Sequence, residues 1–278
     1  SAVPNHVGIE ELLKALDEAG KLGSDIVCTY EFVWISGGTP DHVAARTAAA
    51  KENLRRIAAK AKQYGMYVLV GGVVDRLERN EAILLGRDGQ EVGRYFKCIQ
   101  THPEQICGTD APILETDFGR IGVRICADNG LVELDRCYGV KGADLMFDLT
   151  QDWGPDAIYR NLRNVSRAMD NLFVRVEDTH TSSEVQHRSG IIDPAGVPIA
   201  QSQYLSGALV TAVVDLDQVR PRRYSRQWQA HKPGGYLAEF QDTQLPKESN
   251  DLREVLLAAR RPELYGILWK ERKPAAQP

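Results

Sequence analysis

A chain of 278 residues, 43% hydrophobic and 26% charged, can bury a substantial core as one large domain or two small ones. Its formal charge of -4 leaves no basic footprint, which argues against nucleic acid or an acidic membrane surface as a partner. No apolar run reaches the roughly 18 residues of a spanning helix, and no charged-then-apolar leader opens the chain, so a cytoplasmic location is expected.

In chain order, Ile9, Leu12, Leu13, Leu16 and Ala19 form an apolar stripe at spacings of three and four, which predicts an amphipathic helix over residues 9 to 22. A short strand, 25-DIVCTY-30, follows. An alanine-rich helix is expected from Val43 to Tyr64, closed by Gly65, and then 66-MYVLVGGVV-74 reads as a strand buried on both faces. Two hairpins come next, one over 81 to 97 turning at Asp88-Gly89, the other over 112 to 126 turning near Asp117-Phe118-Gly119.

Alternation of helix and strand then resumes. The stretch 119-GRIGVRICADNG-130 alternates Ile121, Val123 and Ile125 with small or charged residues, a strand that stops at Cys126. Asp128, Asn129 and Gly130 are turn formers, and Leu131, Leu134 and Tyr138 give helical spacing over 131 to 141, with Gly142 as its close. A strand ending at Thr150, a helix from about Pro155 to Asn171 and a strand over 172 to 178 complete this run. Two strands flank the turn Asp193-Pro194-Ala195-Gly196, and 207-GALVTAVVDL-216 is expected as the last strand. Hairpins interrupting a helix–strand alternation imply mixed sheets with helices outside. Beyond Leu216 the composition shifts to Arg, Gln, Pro and Glu. One domain over 1 to 278 is expected, with 217 to 278 as a C-terminal arm.

Five cysteines, Cys28, Cys98, Cys107, Cys126 and Cys137, are an odd number with no CxxC, which favours reduced thiols. Six histidines lie scattered without HxH or HExxH spacing, and no metal or other cofactor is implied.

The chemistry gathers at strand ends. Glu31 follows the first strand, Lys97 follows 91-EVGRYF-96, and Cys126 ends 120-RIGVRI-125 at a strand-to-helix bend. Strand ends distant in sequence converge at a sheet edge. Taken singly, the cysteine reads as a small buried hydrophobe, Glu31 as a loop carboxylate and Lys97 as a solvated strand terminus. Taken together they are complete for acyl transfer: a carboxylate to take a thiol proton, a thiolate to attack a carbonyl or nitrile carbon, and an ammonium to stabilise the atom that gains charge. A free thiol, with a pKa of about 8.5, is only a few per cent ionised at neutral pH and needs such help.

The segments 30-YEF-32, 95-YFK-97 with Glu104 seven residues on, 117-DFGRIGVRICAD-128, 142-GADLMF-147, 167-RAMDN-171 and 190-GIIDPAG-196, and more weakly 260-RRPELYG-266, resemble the nitrilase superfamily of carbon–nitrogen hydrolases, in that family's order. The resemblance implies an α/β fold of mixed sheets, the four-layer α-β-β-α sandwich, acting without a cofactor on a small-molecule amide, carbamoyl or nitrile substrate. It makes Glu31 the general base, Lys97 the electrostatic stabiliser, Cys126 the nucleophile and Glu104 a second carboxylate that holds substrate or Lys97. The backbone N–H of Ala127 would complete an oxyanion hole. It also implies a homodimer or larger homo-oligomer, with the helices over 131 to 140 and 157 to 171 at the pairing surface. The family usually opens with a strand before the first helix, which Ser1 to Gly8 is too short and polar to supply.

Asp128, two residues after the cysteine, is as in amidase-like and carbamoylase-like members, whereas nitrilases more often place Glu there. Carbamoylases that bind amino-acid carboxylates tend to carry arginines just after the cysteine, where this chain has Asn129 and Gly130. Amide hydrolysis is therefore expected first, nitrile hydrolysis second, and a non-catalytic binding protein of the same fold third, because a fold alone implies no activity. Trp153, in 151-QDWG-154, is expected either as an aromatic wall of the pocket or as ordinary core. His180 ends another strand but has no proton-transfer role left to fill.

Overall fold

The computed structural model describes residues 9–31, 43–72, 79–99, 106–150, 157–179, 188–202, 209–217 and 260–269. Among the described residues, four α-helices, α1 (Ile9–Lys21), α2 (Val43–Tyr64), α3 (Val132–Lys141) and α4 (Ala157–Asn171), accompany ten strands. Strands β1 (Ile26–Cys28), β2 (Tyr67–Gly71), β3 (Glu81–Leu85) and β4 (Glu91–Phe96) form one sheet in that order. The second sheet has the order β10-β9-β8-β7-β6-β5, built from β5 (Leu114–Glu115), β6 (Arg120–Ile125), β7 (Leu145–Thr150), β8 (Val174–Thr179), β9 (Gly190–Ile192) and β10 (Pro198–Gln201). Parallel pairs (β1 with β2, β6 with β7, β7 with β8) coexist with antiparallel ones, so both sheets are mixed, as the interrupted alternation predicts.

Period-two alternation distributes the layers. In the first sheet Cys28, Tyr67, Leu69, Ala82 and Leu84 face a core shared with Ile121, Val123, Ile125, Leu145, Phe147 and Val174 of the second. The residues between them, Val27, Val68, Val70, Ile83 and Leu85, pack instead on Leu12, Leu16 and Ala19 of α1 and Ile57 and Ala61 of α2. Sheet faces sheet, with helices outside: a four-layer α-β-β-α sandwich. Both hairpins turn where expected; in the first, the Gly86 N–H donates to Gln90 O at 2.7 Å and Gly89 takes a left-handed φ of 78°. Gly142 closes α3 at φ 89°, with the Ala143 N–H reaching back to Tyr138 O at 3.0 Å. At the end of the sandwich remote from Cys126, Arg87 donates to Asp25 ahead of β1 and to Asp117 between β5 and β6, at 2.7 and 2.6 Å, and so staples the two sheets.

Two expectations change. The segment after Gly207 does not complete the strand set: of residues 209–217 only Val210 forms an isolated bridge, and Val213 is 96% exposed. Alternate residues Ala212, Val214 and Leu216 still pack on the core, so the apolar period is real while backbone pairing is not made. The link from β6 to α3 is no bare turn but a short 3-10 helix, Cys126–Gly130. Residues 1–8, where a leading strand was in question, lie outside the described residues. The chain divides into two units, 1–219 and 220–278; within the second, Pro262–Trp269 forms a 3-10 helix whose first turn carries an Arg261–Glu263 ion pair.

Between the second sheet and α3 and α4 lies a layer of charge. Arg124, Asp148, Arg175 and Glu177 occupy the alternate positions of β6, β7 and β8, and all are buried. Arg124 pairs with Asp135 of α3 and, at 3.1 Å, with Asp148, which also accepts from Arg175 at 2.5 Å. Asn164 of α4 donates to Glu177. Gly122 lets the helix layer close down, since a Cβ there would lie 2.7 Å from both the Tyr138 ring and the Met146 sulfur. Removing one member of a buried pair strands its partner's charge at a cost of about 3–5 kcal/mol. Asp148→Ala, which takes a carboxylate from Arg175 and one of two from Arg124, is therefore expected to lose about that much unfolding free energy in urea melts; a change within 0.5 kcal/mol would contradict the assignment of this layer as structural.

Candidate active site

The chain leaves β1 at Thr29, whose N–H still bonds Leu69 O at 3.0 Å and whose hydroxyl accepts from the Gly71 N–H at 2.9 Å. This carries Glu31 over the end of β2, where it is 1% exposed. Lys97, one residue past β4 and 2% exposed, donates from Nζ to Glu31 Oε1 at 2.9 Å. Asn80, just ahead of β3, donates from Nδ2 to the same oxygen at 2.6 Å, and its carbonyl accepts the Lys97 N–H at 2.9 Å. Asn80 thus fixes both charged residues at once.

Cys126 follows β6 and opens the 3-10 helix with φ at 48°. A non-glycine residue in that left-handed region costs on the order of 1–3 kcal/mol and persists where the surroundings over-determine it, as they do at many reactive centres. Burial pushes the Cys126 thiol up to about 11, the Glu31 charge adds to the rise, the Lys97 charge opposes it, and hydrogen bonding to Glu31 again raises it. The buried Thr150 hydroxyl, at the end of neighbouring β7, lies close to the sulfur and favours the thiolate. A thiol shifted in this direction is less ionised at neutral pH than a free cysteine.

Three strand ends from two sheets thus bring a carboxylate, an ammonium and a thiol together, the first two almost wholly buried. The sequence pattern named Carbon-nitrogen hydrolase matches residues 6–224. The chain belongs to the carbon–nitrogen hydrolase family, and it is a hydrolase of carbon–nitrogen bonds other than peptide bonds.

Relatives in this family bear several names. A probable nitrilase of Schizosaccharomyces pombe is 32% identical over 52% of this chain, a match spanning 56% of that relative. A bifunctional nitrilase/nitrile hydratase of Lupinus angustifolius is 26% identical over 78% of this chain and 75% of its own length. A deaminated glutathione amidase of Synechocystis is 26% identical over 79% of this chain and 91% of its own length. An amidase from Nesterenkonia has a similar fold, with a TM-score of 0.67 at 20% identity, covering 79% of this chain and 94% of that one.

Of the residues expected at the carbon–nitrogen hydrolase site, Glu31, Lys97 and Cys126 are brought together, and Ala127 follows Cys126 in the first turn of the 3-10 helix, where backbone N–H groups have no acceptor within the helix. Glu104, Trp153 and His180 lie outside the described residues. Sequence reasoning missed Asn80 and Thr150. Thr150 had a readable signal, a hydroxyl ending the strand next to the cysteine strand, whereas Asn80 stands alone before an apolar run and shows its role only through contacts. No group of three or more His, Cys, Asp or Glu suited to a metal occurs among the described residues. Nor is any described helix long and apolar enough to cross a membrane.

The charge arrangement fixes the sign of two substitutions. Glu31→Gln removes a negative charge that opposes the thiolate, so the ionisation midpoint of Cys126, read from the pH dependence of its alkylation, should fall below about 11. Lys97→Ala removes the opposing positive charge and should raise that midpoint. Shifts of the reverse sign would show that the three groups do not share a site.

Proposed function

We propose that this carbon–nitrogen hydrolase cleaves small non-peptide amides through a thioester on Cys126, with Glu31 as general base and Lys97 as the cation at the developing oxyanion. The observation that carries the reading is the buried Lys97–Glu31 pair at 2.9 Å beside a thiol that burial pushes up to about 11. A neutral thiol needs a base within reach, and an ion pair in a dry gap offers one without exposing it to bulk water.

In the first half-reaction Sγ attacks the carbonyl carbon while its proton passes to Glu31, and the carbonyl electron pair moves onto oxygen. Lys97 Nζ and the Ala127 N–H hold that oxyanion. Collapse breaks the C–N bond, and the nitrogen leaves with the Glu31 proton, as ammonia from a primary amide. A water molecule then attacks the thioester and gives its proton to Glu31. The C–S bond breaks, the sulfur regains a proton, and a carboxylic acid departs. Thr150, beside the sulfur, steadies the thiolate as it forms and as it leaves. Glu104 as a second carboxylate and Trp153 as a pocket wall belong to the same reading.

Asp128 after the cysteine and the amidases among the relatives favour amides over nitriles. Nitrile hydrolysis is the second reading, supported by the nitrilases among the relatives. The outer face of α3 and α4 leaves Val132, Leu162 and Met169 exposed, and we propose it as a surface for self-association. A cytoplasmic location, where thiols stay reduced, suits a cysteine nucleophile.

The test is a panel of primary amides, N-carbamoyl compounds and nitriles with ammonia detection. Primary amides should release ammonia, Cys126→Ala should fall to background, and Lys97→Ala should lose at least about 10²- to 10³-fold in kcat. Turnover that survives Cys126→Ala would end the nucleophile assignment, and reaction of nitriles alone would install the second reading.

A further inference from the structure

We infer that Asp128 is a positioning residue, whose carboxylate ties the backbone around Lys97 to the backbone around Cys126 and so sets the gap that a reacting carbon occupies. The inference rests on the roles proposed above for those two residues and adds a third component that neither strand supplies by itself.

Asp128 is fully buried. Its Oδ1 accepts the backbone N–H groups of Cys98 and Ile99 at 3.0 and 2.8 Å. Its Oδ2 accepts the Tyr95 hydroxyl at 2.7 Å and the Ile125 N–H at 3.1 Å. Each oxygen takes two donors, the pattern of an acceptor-only carboxylate. Burial leaves its pKa raised above the usual carboxylate range, although the Tyr95, Ile99 and Ile125 hydrogen bonds and the Lys97 charge pull it down.

What matters is where these donors sit. Ile125 immediately precedes Cys126 on β6 of the second sheet. Tyr95, Cys98 and Ile99 flank Lys97 on and just beyond β4 of the first. A side chain serving only to close the bend after β6 would need the Ile125 N–H and nothing more. Asp128 instead gives three of its four acceptor positions to the opposite sheet, at the point where the chain has left β4 and has no ladder to satisfy its amides. One buried group therefore spans the two layers within two residues of both Lys97 and Cys126, and it also braces the strained φ of Cys126. Misplacement of a reacting group by about 1 Å costs on the order of 10²-fold in rate, so such a brace acts on catalysis as well as on folding.

Electrostatics and geometry predict opposite signs here. Glu31, Lys97 and Thr150 face the thiol. Deleting the Asp128 charge with nothing else moving would ease thiolate formation and lower the Cys126 ionisation midpoint. Releasing Lys97 from its place would raise it. The experiment uses the full chain and its Asp128→Asn and Tyr95→Phe variants, each also in a Lys97→Ala background. Iodoacetamide alkylation at Cys126, located by peptide mass, is followed against pH, with thermal melts alongside.

We expect Asp128→Asn to raise the midpoint and to cut kcat for a primary amide about 10²-fold with KM within about threefold. The upward shift should vanish when Lys97 is already absent. A lowered midpoint, or an equal upward shift in both backgrounds, would overturn the proposal. Tyr95→Phe keeps the carboxylate and loses one donor, and should move both readouts the same way by a smaller factor. If Asp128→Asn does not fold, Tyr95→Phe decides, and an unmoved midpoint there refutes the brace. Alkylation needs no substrate, so a chain that turns over no amide sinks the proposed function while leaving this test intact.

Discussion

Lys97 and Glu31 are each almost wholly buried, and neither charge would be stable there alone. Their contact at 2.9 Å compensates two desolvated ions, and much of the surrounding architecture serves to maintain it. The pair joins the end of β1 to the end of β4, so the first sheet must hold both strands in register through β2 and β3. Asn80 adds a donor to the shared carboxylate oxygen and an acceptor for the Lys97 amide. With the ammonium committed on one side, its field remains available to whatever charge develops on the other, next to Cys126. A solvated version of the same pair would be screened and worth little.

The second sheet meets a different constraint with similar means. Cys126 must be presented from a strand end in an unfavourable backbone conformation, and that strand, β6, is held by parallel pairing to β7 and by Arg124 beneath it. The charged layer under α3 and α4 is built from paired groups, as buried ions must be. Its geometry is directional, so it specifies how those helices seat on the sheet more narrowly than apolar packing would. Cys126 thus stands between an apolar inter-sheet core and a polar layer outside.

Much of the fold was legible because the two periodicities are clean. Leu12, Leu13, Leu16 and Ala19 all became the buried stripe of α1, and Ile121, Val123 and Ile125 all face the inter-sheet core. The failures share a cause. Residues 209 to 217 keep an apolar alternation without a ladder, because side-chain period is a property of the segment and backbone pairing needs a partner. Arg124, Asp148, Arg175 and Glu177 alternate with apolar residues as solvent-facing positions do, yet they are buried; alternation says which residues share a face, and only the helices say whether that face is wet. The convergence of Glu31, Lys97 and Cys126 was legible because each stands at or just past a strand end, whereas Asn80 bears no sequence mark of its contacts.

By itself, the sequence determined the elements, their order and the three chemistry-bearing residues at strand ends, since local periodicity and turn chemistry act over a few residues and are written there. Only the tertiary structure decided that Asp128 is more than a turn former, that a layer of charge lies beneath α3 and α4, and that burial pushes the Cys126 thiol up. Those outcomes depend on burial and on distances between residues far apart in the chain, and the energy of a charge is set by what surrounds it in space.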